Sequence, residues 1–584
     1  MRRTSLARRG ADYFGMASPT EFVIAAILIG LLVALKIMSI VRFQFETDES
    51  AHAHVIWGWA QGFVQYRDIS SNHMPLFQIM FAPIFGLIGE RPTILCWLRF
   101  VLFPMYFVAA WCTYRIGTLL FSRRAGIWTV ILVGLYGYYY FVSLEFRTDN
   151  VWAPLWLLCI LVLMSGALST RRALVAGLFL GLCFAVSLKS TLFLVSILVA
   201  ASLALLLVGR ERLGQSWIHL ARCAAIFLAT TLIVPVTVAV FFWLKGVWPD
   251  FRYCVFDFNL LAARIYENRL FYKSLPGLAS IALLLVLTVV VYLMRSRARG
   301  LGDPGLVFRR AFVLFVCIFY FVAIKSGFWL LSSSSNYPPF LPLASVLLTG
   351  AAVALSGRLS RRDKISRIFR LVPLTAIVAL LELFLLARTR LLWKDGARRE
   401  TNLLRDVLAL TEPTDFVFDA KGETVFRARC FRPVLETITV KAIERGIMTD
   451  NAPQRCVETR TCVVATIMKK RFSPQTRDFV QRHYLPVTKN LRVAGTLLRP
   501  LAANPNRCEF DVVIPASYKI ISRDENVSGV LDGTPYTGAR FLSAGQHNFE
   551  SASTSNNLVL LWAQAVDRHF MLADRNIDNR KSLP

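Results

Sequence analysis

From residue 22 to residue 391 the sequence is a train of apolar runs, parted by short loops that hold most of the charge in that stretch. The first, Phe22 to Ile40, has no charged residue before Lys36. A segment crossing hydrocarbon must be about 20 residues long. It must also satisfy its own backbone hydrogen bonds, which a single segment does only as a helix. Further runs read as 93–120, 125–144, 151–168, 173–188, 191–208, 223–244, 275–294, 311–331, 338–356 and 371–391, about eleven crossings in all. Met74 to Gly89 is apolar but interrupted by Pro75 and Pro83, and is expected to lie in the outer interface instead of crossing.

The loops fix an orientation. With the N-terminus in the cytoplasm, the inner loops are Arg123-Arg124, Arg171-Arg172, Arg210 to Arg222, Arg295 to Arg310 and Arg358 to Arg370, every one of them basic. The outer loops hold Asp48 and Glu49, Glu145 to Asp149, Lys189, Lys245 to Lys273, and Ser332 to Tyr337. That is the positive-inside pattern. It also accounts for the net charge of +29, since the cations sit where topology puts them. No basic stripe suited to nucleic acid is expected. The first run is too long for the apolar core of a signal peptide, and no small-residue cleavage site follows it, so it should remain as an anchor.

After Trp393 the composition becomes that of a soluble, mixed region. Glu400 to Leu410 and Pro474 to Arg482 read as helices, and Asp415 to Asp419 and Thr461 to Thr466 as strands. From about Cys508 short alternating strands are broken by Asp532-Gly533, Gly538 and Gly545, as in a small β-sandwich. The run Val530 to Gly533, Gly538, Gly545 to His547 weakly resembles PEGA-type surface β-domains. The expected organisation is a basic N-terminus at 1–20, a transmembrane domain at 21–392 with its first outer loop at 44–92, an extracytoplasmic α/β domain at 393–505, and a β-sandwich at 506–584. Such a C-terminal region either packs structurally on the membrane domain or guides an acceptor. Asn526-Val-Ser528 fits a glycosylation sequon.

Cys430, Cys456, Cys462 and Cys508 fall in the C-terminal third. An even number in an exported region suggests disulfides, with three connectivities possible. Cys456 and Cys462 are near enough in sequence to close a local loop. The spacing does not suit a structural metal site.

The groups able to do chemistry all fall on the outer side. Glu46-Thr-Asp48-Glu49-Ser-Ala-His52-Ala-His54 follows directly on the first span. On a helix Asp48 and His52 share a face at i, i+4, with Glu49 one step round. A carboxylate at a low-dielectric rim is suited to general-base work, although a solvated charge cluster has the same composition. Asn72-His73-Met-Pro-Leu-Phe77, Glu145-Phe-Arg147-Thr-Asp149-Asn150, Lys189, and Ser332 to Pro342 complete the set. No Walker or dinucleotide glycine motif is present. An enzyme on that face must draw its activated substrate from within the membrane.

The order of these elements resembles that of polytopic GT-C glycosyltransferases. The acidic pair after the first span, the Pro-Leu-aromatic turn and the Arg-Thr-Asp segment opening a later helix carry the likeness. Within that superfamily the chain looks most like the protein mannosyltransferase and aminoarabinose transferase branch, which uses polyprenyl-phosphate sugars. Lys189 and Tyr337-Pro-Pro-Phe-Leu-Pro342 stand where that branch has a Lys and a Tyr-x-x-Pro-x-x-Pro-like turn. The resemblance spans about residues 20–390. It departs at His73-Met-Pro-Leu76, where Lys-Pro-Pro is common, which leaves sugar and acceptor open.

The resemblance implies that Asp48 is the general base and that transfer inverts the anomeric carbon. It also implies a polyprenyl phosphate leaving group that needs fixed cations. Arg147 and Lys189 are the candidates, with Arg264 and Arg269 behind them. Glu49 and Asp149 would orient sugar hydroxyls or hold the cations. His52, His73 and Tyr337 are carried along as substrate-binding positions. No cofactor or metal is expected; His52 and His54 with Asp48 make a weak metal set, since alternate positions suit a strand better than a helix. Plainer roles stand beside these: Asp149 or Asn150 as an N-cap, Lys189 snorkelling to the interface, Arg264 and Arg269 as loop charges, Tyr337 in an aromatic belt.

The resulting expectation is a glycosyltransferase in a bacterial inner membrane, with its site on the periplasmic side. Its partners would be a polyprenyl-phosphate sugar donor, an envelope glycan or lipid acceptor, and membrane lipid. The alternatives are a transporter or flippase of a lipid-linked saccharide, and a sensor anchored by its membrane part. A transporter should show repeated halves and ionisable groups at the midplane, which the sequence lacks.

Overall fold

The computed structural model describes residues 6–265, 302–325, 336–359, 373–502, 504–522, 527–552 and 557–572, with single helical positions at 287, 290 and 294. The chain divides into two compact units. The first comprises Met1–Gln44, Asn72–Phe81 and Cys96–Ala397. The second comprises Phe45–Ser71, Ala82–Leu95 and Arg398–Pro584.

The first unit is helical. The described part of each expected apolar run is largely helical; 275–294 lies almost wholly outside the described residues, as do 326–331 and 371–372. Among the described residues five helical stretches are long and apolar enough to cross a membrane: Pro19–Arg42, Ile94–Leu120, Ser190–Val208, Trp217–Leu244 and Pro304–Ile324. The apolar helices Asp149–Met164 and Phe340–Ala354 are shorter. The Ile94–Leu120 stretch is jointed at Phe103, because Pro104 has no N–H to give and takes the first helical position. The chain is an integral membrane protein.

Among the described residues of this unit, buried Glu21, Lys36 and Arg99 are all engaged. Glu21 accepts from Arg124 Nε and Trp128 Nε1, both at 2.7 Å. Lys36 Nζ donates to the Tyr140 carbonyl at 2.9 Å and to Ser143 Oγ at 2.7 Å. Arg99 donates to the Phe43 and Gln44 carbonyls, each at 2.8 Å, and so closes the C-terminal end of helix Pro19–Arg42. Helix Thr170–Val186 lies flush on Trp217–Leu244 because Gly177 and Gly181 offer no side chain. A Cβ at Gly181 would stand 2.7 Å from the Thr231 carbonyl oxygen.

The second unit begins with helix Thr47–Ala60. A capping box starts it: the Glu49 carboxylate accepts the Glu46 N–H at 2.8 Å, and that of Glu46 accepts the Asp48 N–H at 2.6 Å. The C-terminal part holds twelve strands among the described residues. They are β1 (Val417–Phe418), β2 (Val463–Ala465), β3 (Tyr484–Pro486), β4 (Leu491–Leu497), β5 (Pro500–Leu501) and β6 (Asn504–Val512). The rest are β7 (Ala516–Ile521), β8 (Gly529–Leu531), β9 (Thr534–Pro535), β10 (Arg540–Leu542), β11 (Gly545–Ser551) and β12 (Val559–Trp562).

A seven-stranded sheet runs β1-β2-β4-β12-β7-β10, with β3 paired to β4; a five-stranded sheet runs β5-β6-β11-β8-β9. Only the β1–β2 pair is parallel among those described. Along β6 the residues Cys508, Phe510 and Val512 turn inward and their neighbours outward, the period-2 pattern of a half-buried strand.

Three features bear on the expected organisation. The domain boundary at 505 is crossed by the larger sheet, since β4 pairs with β12 and one buried core takes residues from both sides. Most of the first outer loop groups with the C-terminal unit and not with the membrane helices that flank it. Cys456 lies beside Cys430, Sγ to Sγ 3.5 Å, and the Cys462 thiol is turned to the Arg460 carbonyl. The sequon residue Asn526 lies outside the described residues.

Candidate active site

In the first unit the turn Glu145-Phe-Arg147-Thr148 leads straight into helix Asp149–Met164, and no side chain caps that helix. The capping role considered for Asp149 is therefore not what its carboxylate does. Asp149 Oδ2 lies 3.4 Å from Arg147 Nη2, and Oδ1 lies 3.4 Å from Lys189 Nζ. Arg147 Nη1 also reaches Glu145 at 3.3 Å. Asn150 closes the turn by donating from Nδ2 to the Val142 and Glu145 carbonyls at 2.8 and 2.7 Å. The Asp149 side chain is 3% exposed, against 17% for Arg147 and 20% for Lys189. A buried acid thus gathers two partly open cations. Such a pair matches a phosphate monoester, with Arg able to bind two oxygens and Lys acting as a point charge.

An aromatic ladder sets these groups in place. Trp152, one turn along from Asp149, donates from Nε1 to Ser190 Oγ at 2.8 Å, next to Lys189. Trp152 and Trp156 stack on Phe193 with centroids 4.3 and 4.0 Å apart, and Phe193 stacks on Tyr320 at 5.6 Å. Tyr320 Oη donates to the Asn336 carbonyl at 2.9 Å. The adjoining Tyr337 meets Tyr138 edge to face at 6.2 Å. Lys189 does more than reach for the interface: besides Asp149, its ammonium lies 5.7 Å from the Trp152 ring centroid.

Phe146 packs against Phe77 and Phe81 at 4.9 and 5.0 Å, which brings the Asn72 to Phe77 element to the same turn. His73 is half-buried in the bend before helix Leu76–Ile88. The Asn72 carbonyl accepts from Asn259 Nδ2 at 3.3 Å, tying in helix Phe258–Ile265, where Arg264 lies in the last turn. Arg269 lies outside the described residues.

In the second unit Asp48, Glu49 and His52 share helix Thr47–Ala60, with Glu49 and His52 buried. Glu49 is occupied by its capping bond. Asp48 is ion-paired with Lys421, whose ammonium also lies 3.5 Å from Glu436. His54 Nδ1 hydrogen-bonds the Val425 carbonyl at 2.9 Å and its ring stacks on Trp57. Among the described residues no group of three or more His, Cys, Asp or Glu side chains is arranged to hold a metal ion.

The segment that meets this helix was not singled out in the sequence. Asp419 accepts from Gly422 N, Thr424 N and Arg429 Nε at 2.8, 3.0 and 2.7 Å. Burial pushes its carboxyl up, but Arg429 and His54 outweigh that and hold it below the usual range. Burial also pushes Glu423 up, with help from the Asp419 charge, to about 7. His54 is held below its ordinary value, by burial first. A run such as Asp419-Ala-Lys-Gly-Glu-Thr424 reads as a solvated turn; Gly422 was the one local hint. Its φ is +87° and a Cβ there would stand 2.8 Å from His54 Cβ.

ArnT from Cupriavidus metallidurans bound to undecaprenyl phosphate superposes with a TM-score of 0.50 at 14% identity, over 82% of this chain and 98% of that one. The apo state gives 0.49 at 13%, over 80% and 97%. The archaeal oligosaccharyltransferase AglB from Archaeoglobus fulgidus, in complex with an inhibitory peptide and a dolichol-phosphate, gives 0.44 at 13%, over 75% and 69%. No curated protein sequence matches the chain. Residues 72–237 match the dolichyl-phosphate-mannose-protein mannosyltransferase family, a stretch that holds His73, Arg147, Asp149 and Lys189 and begins after Asp48. The chain is thus an integral membrane protein with the fold of ArnT, a GT-C-type fold, and its residues 72–237 are similar to the mannosyltransferase family.

Proposed function

We propose that this protein transfers a sugar from a polyprenyl-phosphate-linked donor to a hydroxyl of an envelope glycan or lipid, with inversion. The site would lie on the periplasmic face of a bacterial inner membrane, where the basic inner loops of the sequence would put it. One observation carries the reading: buried Asp149 gathers the partly open cations of Arg147 and Lys189. In the proposed step the acceptor O–H gives its proton to the Asp48 carboxylate while its oxygen bonds the anomeric carbon. The bond from that carbon to the phosphate oxygen breaks, and polyprenyl phosphate leaves as a dianion. Arg147 and Lys189 offset the charge that develops on the leaving oxygen, which is where fixed cations lower a barrier most. His52, His73 and Tyr337 are proposed to meet sugar or acceptor hydroxyls, and Arg264 and Arg269 to be auxiliary cations.

The test is transfer in liposomes holding the purified protein, a panel of polyprenyl-phosphate hexoses and pentoses, and envelope lipids and glycans as acceptors. Asp48→Asn is expected to keep its unfolding midpoint and to lose transfer. Undiminished turnover in that variant removes Asp48 from the role of base. No transfer from any donor of the panel by the unaltered protein removes the enzyme reading.

A further inference from the structure

The segment Asp419 to Arg429 has the composition of a surface turn and the burial of a core. Asp419, Lys421, Glu423, Thr424 and Arg427 are all buried. Its polar groups are met largely from within. Asp419 takes the N–H groups of Gly422 and Thr424; Glu423 takes those of Ala420 and Lys421 at 3.2 and 2.6 Å. Arg429 donates to the Asp419, Ala420 and Pro433 carbonyls at 3.0 to 3.1 Å. The backbone is held in strained geometry besides, since Val425 is β-branched and has a φ of +51°. Lys421 is the group this construction turns outward, onto Asp48 and Glu436.

The Lys421–Asp48 pair is not needed to attach the segment. The His54–Val425 hydrogen bond, the Arg427–Glu90 ion pair at 3.0 Å, the Phe85–Phe426 contact at 5.9 Å and the Arg432–Tyr66 hydrogen bond already do so. Burial lowers the proton affinity of the Lys421 ammonium, but Glu436 and Asp48 more than restore it. A cation is therefore kept against this carboxylate at some expense in desolvation.

We propose that Lys421 is a positioning residue for transfer: its ammonium orients the Asp48 carboxylate and keeps it ionised, so the segment Asp419 to Arg429 completes the base. This rests on the reading of Asp48 as the base. Among the described residues the charged and titratable groups near Asp48 include Lys421, Glu436 behind it, Glu46 at its own N–H, Glu49 beside it and His52 one turn on. Lys421 is the fixed cation of that set, and a nearby cation favours the ionised carboxylate.

The test measures transfer against pH for the full-length protein in liposomes. Lys421→Met and Lys421→Gln are expected to lower kcat at least tenfold and to move the acid limb of kcat/KM up by about one pH unit. Donor KM should change less than twofold. Lys421→Arg should restore most of kcat and return the acid limb. A staple with no bearing on Asp48 would leave the acid limb where it is. Wild-type kcat and acid limb in both neutral variants overturn the proposal, as does an arginine variant no better than the methionine one. If those results accompany an inactive Asp48→Asn, the Lys421 assignment alone falls. If Asp48→Asn transfers at the wild-type rate, the base reading falls and takes Lys421 with it.

Discussion

The ammonium of Lys189 lies 3.4 Å from Asp149 Oδ1, between the starts of two neighbouring helices 40 residues apart in sequence. The same carboxylate holds Arg147. Removing either cation leaves the other on Asp149, so the fold should tolerate it, while the leaving phosphate loses a counter-charge. Arg147→Ala and Lys189→Ala are each expected to lower kcat by about 10²-fold, with unfolding midpoints close to wild type. Lys189→Arg should keep more activity than Lys189→Ala. Steady-state transfer beside thermal unfolding in detergent checks this.

Asp149→Asn should act the other way round, on stability first. It leaves Arg147 and Lys189 close together with their shared counter-charge gone. Breaking a buried pair from one side costs about 3 kcal/mol or more. The variant is expected to unfold at lower temperature than either cation variant, and a midpoint equal to wild type would show that Asp149 does not gather the two.

Phe193 supports that cluster without touching a charge. It is fully buried, with Trp152 and Trp156 on it and Tyr320 behind. Phe193→Ala opens a cavity at the joint that sets Ser190 and Lys189 against Trp152. A loss of about 3–5 kcal/mol is expected, together with a fall in transfer that Phe193→Leu partly reverses. Calorimetry or a thermal-shift series on the purified protein reads the first, and the liposome assay the second.

The apolar runs were legible because length and polarity in one dimension suffice to mark a membrane helix. A helix with Asp48 and His52 on one face was legible too, although the Glu46–Glu49 capping box that starts it was not read from the sequence. For the Arg-Thr-Asp turn and Lys189, the resemblance offered Asp149 as a holder of the two cations, but the packing that sets them there was not legible. That depends on Trp152, Phe193 and Tyr320, whose aromatic rings read from sequence as ordinary core. Lys421 was beyond reach. It meets Asp48 across 373 residues, and nothing local distinguishes it from a solvated lysine. The return of β12 to pair with β4 across residue 505 was out of reach for a related reason: no strand pattern announces such a crossover.

The buried carboxyl of Glu423 gives the second unit a pH dependence of definite sign. Its folded pKa of about 7 lies above its unfolded value of about 4.3. The folded state then binds the extra proton between those values, so this group withdraws stability as pH rises through that window. His54 is shifted down and pulls the opposite way, adding stability as pH rises toward about 6.5. Glu423→Gln removes the first slope and leaves the second. Relative to wild type, the variant should gain stability steadily from about pH 4.5 to 7, whatever constant offset the lost hydrogen-bond acceptor imposes. Hydrogen exchange of peptides covering residues 417–430, followed against pH in the full-length protein, reads the slope. Parallel profiles for the two proteins would mean that Glu423 is ionised throughout.

Cys430 and Cys456 lie Sγ to Sγ at 3.5 Å, both buried, while Cys462 faces a carbonyl. Of the three thiols, these two are placed to meet first. Treatment with oxidised glutathione should therefore join Cys430 to Cys456, with two protons and two electrons passing to the glutathione disulfide. Cys462 should remain a thiol. Closing a loop of 26 residues adds about 3–4 kcal/mol in the chain-entropy account. The oxidised protein is accordingly expected to resist unfolding of its C-terminal unit better than the reduced one. Peptide mapping after alkylation without reductant identifies the pair. A Cys456–Cys462 bridge in that map would contradict the arrangement of the three thiols described above.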